Sequence, residues 1–325
     1  MGASAPTVYR YRTMLDFRYH ALSLAAVLCA LAVGVLVGVA IGDSSLVSSA
    51  QDGLVHNLRG ELRESQHELE AANGKLAEQQ SLAGAFEPLA VHGMLEGRRV
   101  GVLFLGDSSD EVDSLVRQGV QGAGGEVRSV AAVREPLNTS AIAAQASGTR
   151  YAALASDPRL MRRFGTHVGG ELVSQAAQAA QSTQPSQPPS LLERVRTTLL
   201  SSDDGQLGGL EGVVVMRAEP SGMTGSAVTT TREFESGLLA GIAARGVPVV
   251  GVETTATEPS QVPWYKTEGI SSVDDLDSVG GRAALAYALA GYRGAFGVKS
   301  SADAQLPSPQ NAPSSALAVR TPGRP

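Results

Sequence analysis

The stretch Arg99–Asp110, RVGVLFLGDSSD, decides how the fold is read. Behind Arg99 the residues VGVLFL run without a polar interruption, the pattern of a strand covered on both faces and not of one with a wet side. Gly106 punctuates the run, and Ser109 or Asp110 supplies the oxygen that caps a helix over Asp110–Gln121. A strand, a glycine turn and a capped helix form the first half of a crossover between parallel strands.

The same alternation continues toward the C-terminus. Gly124-Gly125 leads into a strand at Glu126–Val130, followed by a short strand at Tyr151–Ala155, a helix at Leu191–Leu200, a buried-type strand at Gly212–Met216, a helix at Arg232–Ala244, a strand at Val247–Val252 and a last helix at Gly281–Ala290. These elements predict a small α/β domain over 95–298, doubly wound around a parallel sheet in the Rossmann or flavodoxin manner. Two segments read as irregular. Residues 174–190 alternate Gln with Pro185, Pro188 and Pro189 and predict a surface loop, and 299–325, with Pro307, Pro309, Pro313, Pro322 and Pro325, predicts a disordered tail.

On the N-terminal side, Val55, Leu62, Leu69 and Leu76 recur every seven residues, with Leu58 at the complementary position and Glu61, Arg63, Glu64, Glu68 and Glu70 around them. This predicts a coiled coil over 50–82 with Val55, Leu58, Leu62, Leu69 and Leu76 as its core, and hence a homodimer or higher oligomer. The complementary column decays to Ser65, Ala72 and Gln79, so one amphipathic helix packed on its own domain is the alternative. Glu87-Pro88 predicts the end of the segment.

Further out, ALSLAAVLCALAVGVLVGVAI at Ala21–Ile41 carries no charge and, at a rise of about 1.5 Å per residue, spans the roughly 30 Å of a bilayer core. We read 20–42 as a transmembrane helix and 1–19 as a basic cytoplasmic start. Arg10, Arg12 and Arg18 precede the span, whereas Asp43 and Asp52 follow it, so the main domain is expected outside the cell membrane. A cleaved signal peptide is the alternative, but its apolar core is about 7 to 15 residues long. Gly34 and Gly38 form a G-x-x-x-G pair suited to helix packing. Met1-Gly2 does not open a myristoylation signal, because Pro6 stands where Ser or Thr is needed.

Composition narrows the chemistry. A net charge of -6 with scattered Lys and Arg excludes a basic nucleic-acid face. Cys29 stands alone, which rules out an intramolecular disulfide and a multi-cysteine metal site within one chain. Position makes the turn Gly106, Asp107, Ser108, Ser109 and Asp110 the pocket candidate, since open α/β sheets bind ligands beyond the carboxyl ends of their strands. The turn lacks the glycines and lysine of a nucleotide loop, and the simpler reading is a helix cap. Among soft donors only His92 and Met94 stand close together, which makes them the metal candidates. No G-x-S-x-G elbow occurs in a strand-to-helix context, and Asp274, Asp275 and Asp277 read as turn and helix-start residues. No enzyme is expected and no cofactor is evident.

Three stretches carry a family resemblance: DFRYHALSLAAVLCALAVGVLVGVAIGD at Asp16–Asp43, SSVDDLDSVGGRAALAYAL at Ser271–Leu289, and GYRGAFGVKSSADAQLPS at Gly291–Ser308. Together they resemble the actinobacterial copper transport protein B, or MctB-like, family. The resemblance implies an envelope protein of copper transport or homeostasis, described in that family as an outer-membrane transport component, with copper as the ligand. The competing expectation is a non-catalytic coiled-coil scaffold that holds a protein partner of the cell wall or division machinery.

Overall fold

The computed structural model describes residues 17–42, 44–179, 189–205, 209–218, 223 and 225–313. Two units divide the chain after Leu76. The first contains helix α1 (Phe17–Gly42) and most of helix α2 (Ser44–Val91). Arg18–Gly42 is the one helix among the described residues long and apolar enough to cross a membrane, which fits a membrane anchor. Gly34 and Gly38 have nothing packed on them. Along α2, Leu58, Leu62, Leu69 and Leu76 are 52–60% exposed, whereas the Val55 side chain lies outside the described residues.

The expected break at Pro88 does not occur. The helix carries Pro88 and ends at Val91. Tertiary bonds hold this last turn: Glu87 receives both Nε and Nη2 of Arg282, the Tyr287 hydroxyl donates to the Ala90 carbonyl, and Val91 is buried. Gly93, at φ +69, turns the chain just beyond the helix end.

The second unit begins with strand β1 (Arg99–Leu105), helix α3 (Asp110–Gly122), strand β2 (Glu126–Val133) and helix α4 (Thr139–Gln145). It continues with helices α5 (Met161–Ala179) and α6 (Leu191–Leu199), strands β3 (Leu200–Gly205) and β4 (Gly212–Arg217), and helix α7 (Ser226–Ala243). Strand β5 (Val249–Val252), helix α8 (Val262–Thr267), strand β6 (Ser271–Val273), helix α9 (Val279–Leu289) and strand β7 (Ala295–Phe296) complete it. The strands form one sheet in the order β3-β2-β1-β4-β5-β6-β7. All neighbours are parallel except β3, which pairs antiparallel with β2. The sheet is therefore mixed, a correction to the all-parallel expectation. Strand β3 follows α6 with no loop, and its sequence LSSDDG carries one apolar residue, so neither alternation nor an apolar run announced it.

Helices cover both faces, which is why β1 is apolar throughout. Leu103 and Leu105 enter a core built with α4 to α7, while Val100, Val102 and Phe104 enter another built with α3 and α9.

Three further expectations are corrected. Tyr151–Ala155 is no strand: Arg150–Ala153 forms a 3-10 turn, because the Thr149 side chain accepts from Tyr151 N and the Tyr151 ring packs edge-on against Phe164. Of the expected loop 174–190, the first part is the end of α5, and 180–188 lie outside the described residues. The expected tail is held in place as far as Pro313. Asp303 accepts from Lys266 Nζ and Ala295 N, Ala304 bridges to Phe296, and Arg293 N donates to Asn311 O.

Helix α5 itself was hidden by glycines, and those glycines make its packing. A Cβ at Gly165 or Gly169 would fall on the Phe234 and Leu238 carbonyl oxygens of α7, and one at Gly237 or Gly241 on the Arg162 and Thr166 oxygens of α5. The two backbones touch through reciprocal G-x-x-x-G faces, leaving no space for a methyl group. In an open helix, Gly→Ala gains about 1 kcal/mol of propensity; here overpacking outweighs it. Gly169→Ala and Gly241→Ala should each destabilise by about 3 kcal/mol, read as a lower denaturant midpoint at unchanged m. Gly122→Ala, where the added carbon meets nothing, should be near neutral.

Candidate functional site

Strand β1 hands the chain to β2 on one side, while β4 lies on its other side, so the loops leaving β1 and β4 part at the carboxyl edge of the sheet. The turn Gly106–Asp110 stands at this point. Gly106, at φ +100, donates its N–H to the Val133 carbonyl, and a side chain there would approach Glu135 and Ala218. Ser109 Oγ accepts from Val112 N and caps α3, and Asp110 is the first helical residue. The helix-cap reading of the turn thus holds for Ser109. The groove over α5 and α7 described below does not touch Gly106, Asp107, Ser108, Ser109 or Asp110.

The turn does border a charged network that sequence reading missed. Arg217, the last residue of β4, is 2% exposed. Its Nε lies 3.1 Å from both carboxylate oxygens of Glu235 on α7, its Nη1 donates to Gln261 Oε1 at 2.6 Å, and its guanidinium sits 4.7 Å above the Trp264 ring. Its backbone N–H donates to the Tyr265 hydroxyl, which lies within bonding reach of the Val215 and Val252 carbonyls. The Tyr265 ring fills the space that Gly251 leaves empty on β5. Arg217 Nη2 and Glu135 Oε1 are buried with no partner among the described residues.

Glu135 also interacts with Glu235. Burial, then the Glu235 charge and a hydrogen bond to it, push the Glu135 carboxyl up to about 8. Burial pushes Glu235 up as well, but Arg217 opposes it, so the shared proton rests on Glu135. Protonated, Glu135 donates to a carboxylate that Arg217 neutralises; ionised, it would place a second anion on one cation.

A second group of carboxylates closes the neighbouring strands. Glu253, fully buried just after β5, accepts from Ser260 Oγ at 2.8 Å, Gln261 N at 2.6 Å and Lys299 Nζ at 2.8 Å. Asp274 accepts from the Val298 and Lys299 backbone, Asp277 from Thr255 N, and Asp275 from Ser278 Oγ at the start of α9. Gly297 has no room for a side chain because Asp274 occupies it. The turn and helix-start reading of these aspartates is therefore what the geometry displays. The missed residues carry a signal in hindsight: GVVVMR and VVGVE each end an apolar strand directly on a charge.

The metal candidates lie apart from this network. His92 is exposed and Met94 packs against the α3 and α9 core. Among the described residues no three His, Cys, Asp or Glu side chains converge as a metal site. Cys29 is exposed on α1.

The family model described as copper transport outer membrane protein, MctB, matches residues 14–307. The chain belongs to the MctB family. Curated relatives from Mycobacterium bovis and two strains of Mycobacterium tuberculosis, each named copper transporter MctB, are 26% identical over 304 residues, which is 85% of this chain and 92% of theirs. The family match takes in α1, the whole sheet and the C-terminal segment to Pro307. In this MctB-family chain Asp274, Asp277 and Lys299, all inside the stretches that carried the resemblance, tie together the segments that follow β5, β6 and β7.

Two outcomes test the network. Arg217→Met leaves a buried carboxylate unmatched and should cost about 3–5 kcal/mol of unfolding free energy, much of it recovered in Arg217→Met with Glu235→Leu. Because Glu135 binds its proton more tightly in the folded state, its contribution is complete below about 4.5 and is lost as pH rises toward about 8. The melting temperature should therefore fall more steeply over that window in the unaltered protein than in Glu135→Gln, and equal slopes in scanning calorimetry would remove the assignment.

Proposed function

We propose that this chain is an envelope protein, anchored in the cell membrane by α1 with its N-terminus in the cytoplasm, that serves copper transport or homeostasis. The observation that carries the reading is the MctB family match across residues 14–307. The relatives' name, copper transporter, supports copper as the cargo, and the arginines before α1 support the orientation. His92 and Met94 are the donors at which a soft ion would be sought first, with partners from a second chain. In bacteria deleted for this protein, intracellular copper should rise and growth at elevated copper should fall, with full rescue by the intact gene. Unchanged copper content, measured by mass spectrometry, would dismiss the reading.

A second reading is a non-catalytic scaffold, in which the exposed column Leu58, Leu62, Leu69 and Leu76 pairs with its copy in a coiled coil and presents the α/β unit to an envelope protein partner. It predicts a dimer or larger oligomer by light scattering in detergent. Leu62→Asp with Leu69→Asp should return it to a monomer without altering the melting of the α/β unit.

A further inference from the structure

The face of the sheet opposite α3 and α9 carries a groove of about 430 Å³ over the crossing of α5 and α7. Arg150, Arg163 and Arg245 line it, together with His167 and the buried Tyr151. In a chain of net charge -6, three guanidinium groups around one concavity run against the overall balance. Like charges gathered in this way repel, and an anion among them relieves the repulsion.

The one acid in the groove does not supply that anion. Glu171 Oε1 and Oε2 accept the Leu191 and Leu192 N–H groups at 3.3 and 2.6 Å, at the start of α6, and Oε1 also meets His167 Nε2 at 3.1 Å. Its charge is committed to a helix N-terminus and an imidazole. Arg150, Arg163 and Arg245 have no acidic partner among the described residues.

Two of the guanidiniums are positioned by their surroundings. Arg150 lies 5.3 Å from the centre of the Tyr151 ring, whose hydroxyl donates to the Arg163 carbonyl and whose centroid lies 5.8 Å from that of the His167 ring. Arg245 lies across α5 at Gly170, where a Cβ would come to 3.4 Å of its Nε and Nη2. Gly170 is the third glycine of the GTHVGG run, and it opens toward Arg245 where Gly169 meets α7.

We infer that this groove binds a phosphate-bearing ligand. Planar guanidiniums match phosphate oxygens in pairs, and three of them neutralise more than one negative charge. The volume exceeds a single inorganic phosphate and falls in the range of small-molecule sites, so the ligand is a diphosphate, a sugar phosphate or a lipid phosphate headgroup. The inference stands independently of copper, since it uses no soft donor.

The test titrates the full chain in neutral maltoside micelles with inorganic pyrophosphate and, separately, with short-chain phosphatidylglycerol, followed by calorimetry. Variants are Arg163→Gln, Arg245→Gln and the control Arg117→Gln on α3, which makes the same charge change on the other face. Saturable binding of either probe, weakened about tenfold by each groove variant and unchanged in the control, supports the site. A response to pyrophosphate alone assigns a soluble phosphate compound, and one to the lipid alone assigns a headgroup. Absence of saturable binding to both probes, or equal weakening in all three variants at unchanged melting temperature, overturns it.

Discussion

The contact on which most of this molecule rests is the bare crossing of α5 and α7. Four glycines, Gly165, Gly169, Gly237 and Gly241, bring two helix backbones together with no side chain between them. Everything on that face of the sheet takes its position from the spacing. Phe164 and Phe234 stack across it at 5.7 Å, Leu238 and Ile242 reach the strands, and Glu235 projects from α7 to meet the end of β4. The outer surface of the same crossing forms the basic groove. One packing constraint thus sets both the buried acid-base cluster at the carboxyl edge and the cationic concavity opposite α3 and α9.

The carboxyl edge shows how a sheet covered on both faces deals with charge at its rim. Arg217 and Glu253 follow apolar strands immediately, with no polar spacer, and each is satisfied inside the protein. Tyr265 joins the two, its hydroxyl within reach of β4 and β5 while its ring occupies the gap over Gly251. Removing any of these side chains would strand a polar atom in a low-dielectric setting, so their effect on stability comes from partnership and not from charge as such. Arg217 Nη2 and Glu135 Oε1 are among the buried atoms without a partner among the described residues, and the Glu135 carboxyl lies beside Gly106.

Sequence legibility followed the strength of each local signal. Strand β1, the Ser109 cap and helix α3 were legible because an uninterrupted apolar run and a glycine leave few alternatives. Helix α5 was not, since glycines lower helix propensity in isolation and their value appears only beside α7. Strand β3 is polar, and its place depends on pairing with β2 and not on its own residues. Pro88 signalled a helix end that bonds from Arg282 and Tyr287, nearly two hundred residues away, postponed to Val91. The candidate turn was found from topology, whereas Arg217, Glu235 and Glu135 come from three separate elements and could be joined only in space.

The cation facing Glu253 and the N–H groups accepted by Asp274 come from Val298 and Lys299, downstream of every strand among the described residues. During synthesis, Glu253 therefore leaves the ribosome before its cation and Asp274 before the N–H groups it accepts, and β6 remains an open edge until β7 arrives to cover it. Completion of the sheet is thereby tied to residues 295–299: a chain cut short before Ala295 keeps both the unmatched charge and the bare strand edge, two features that expose an unfinished sheet to wrong pairing.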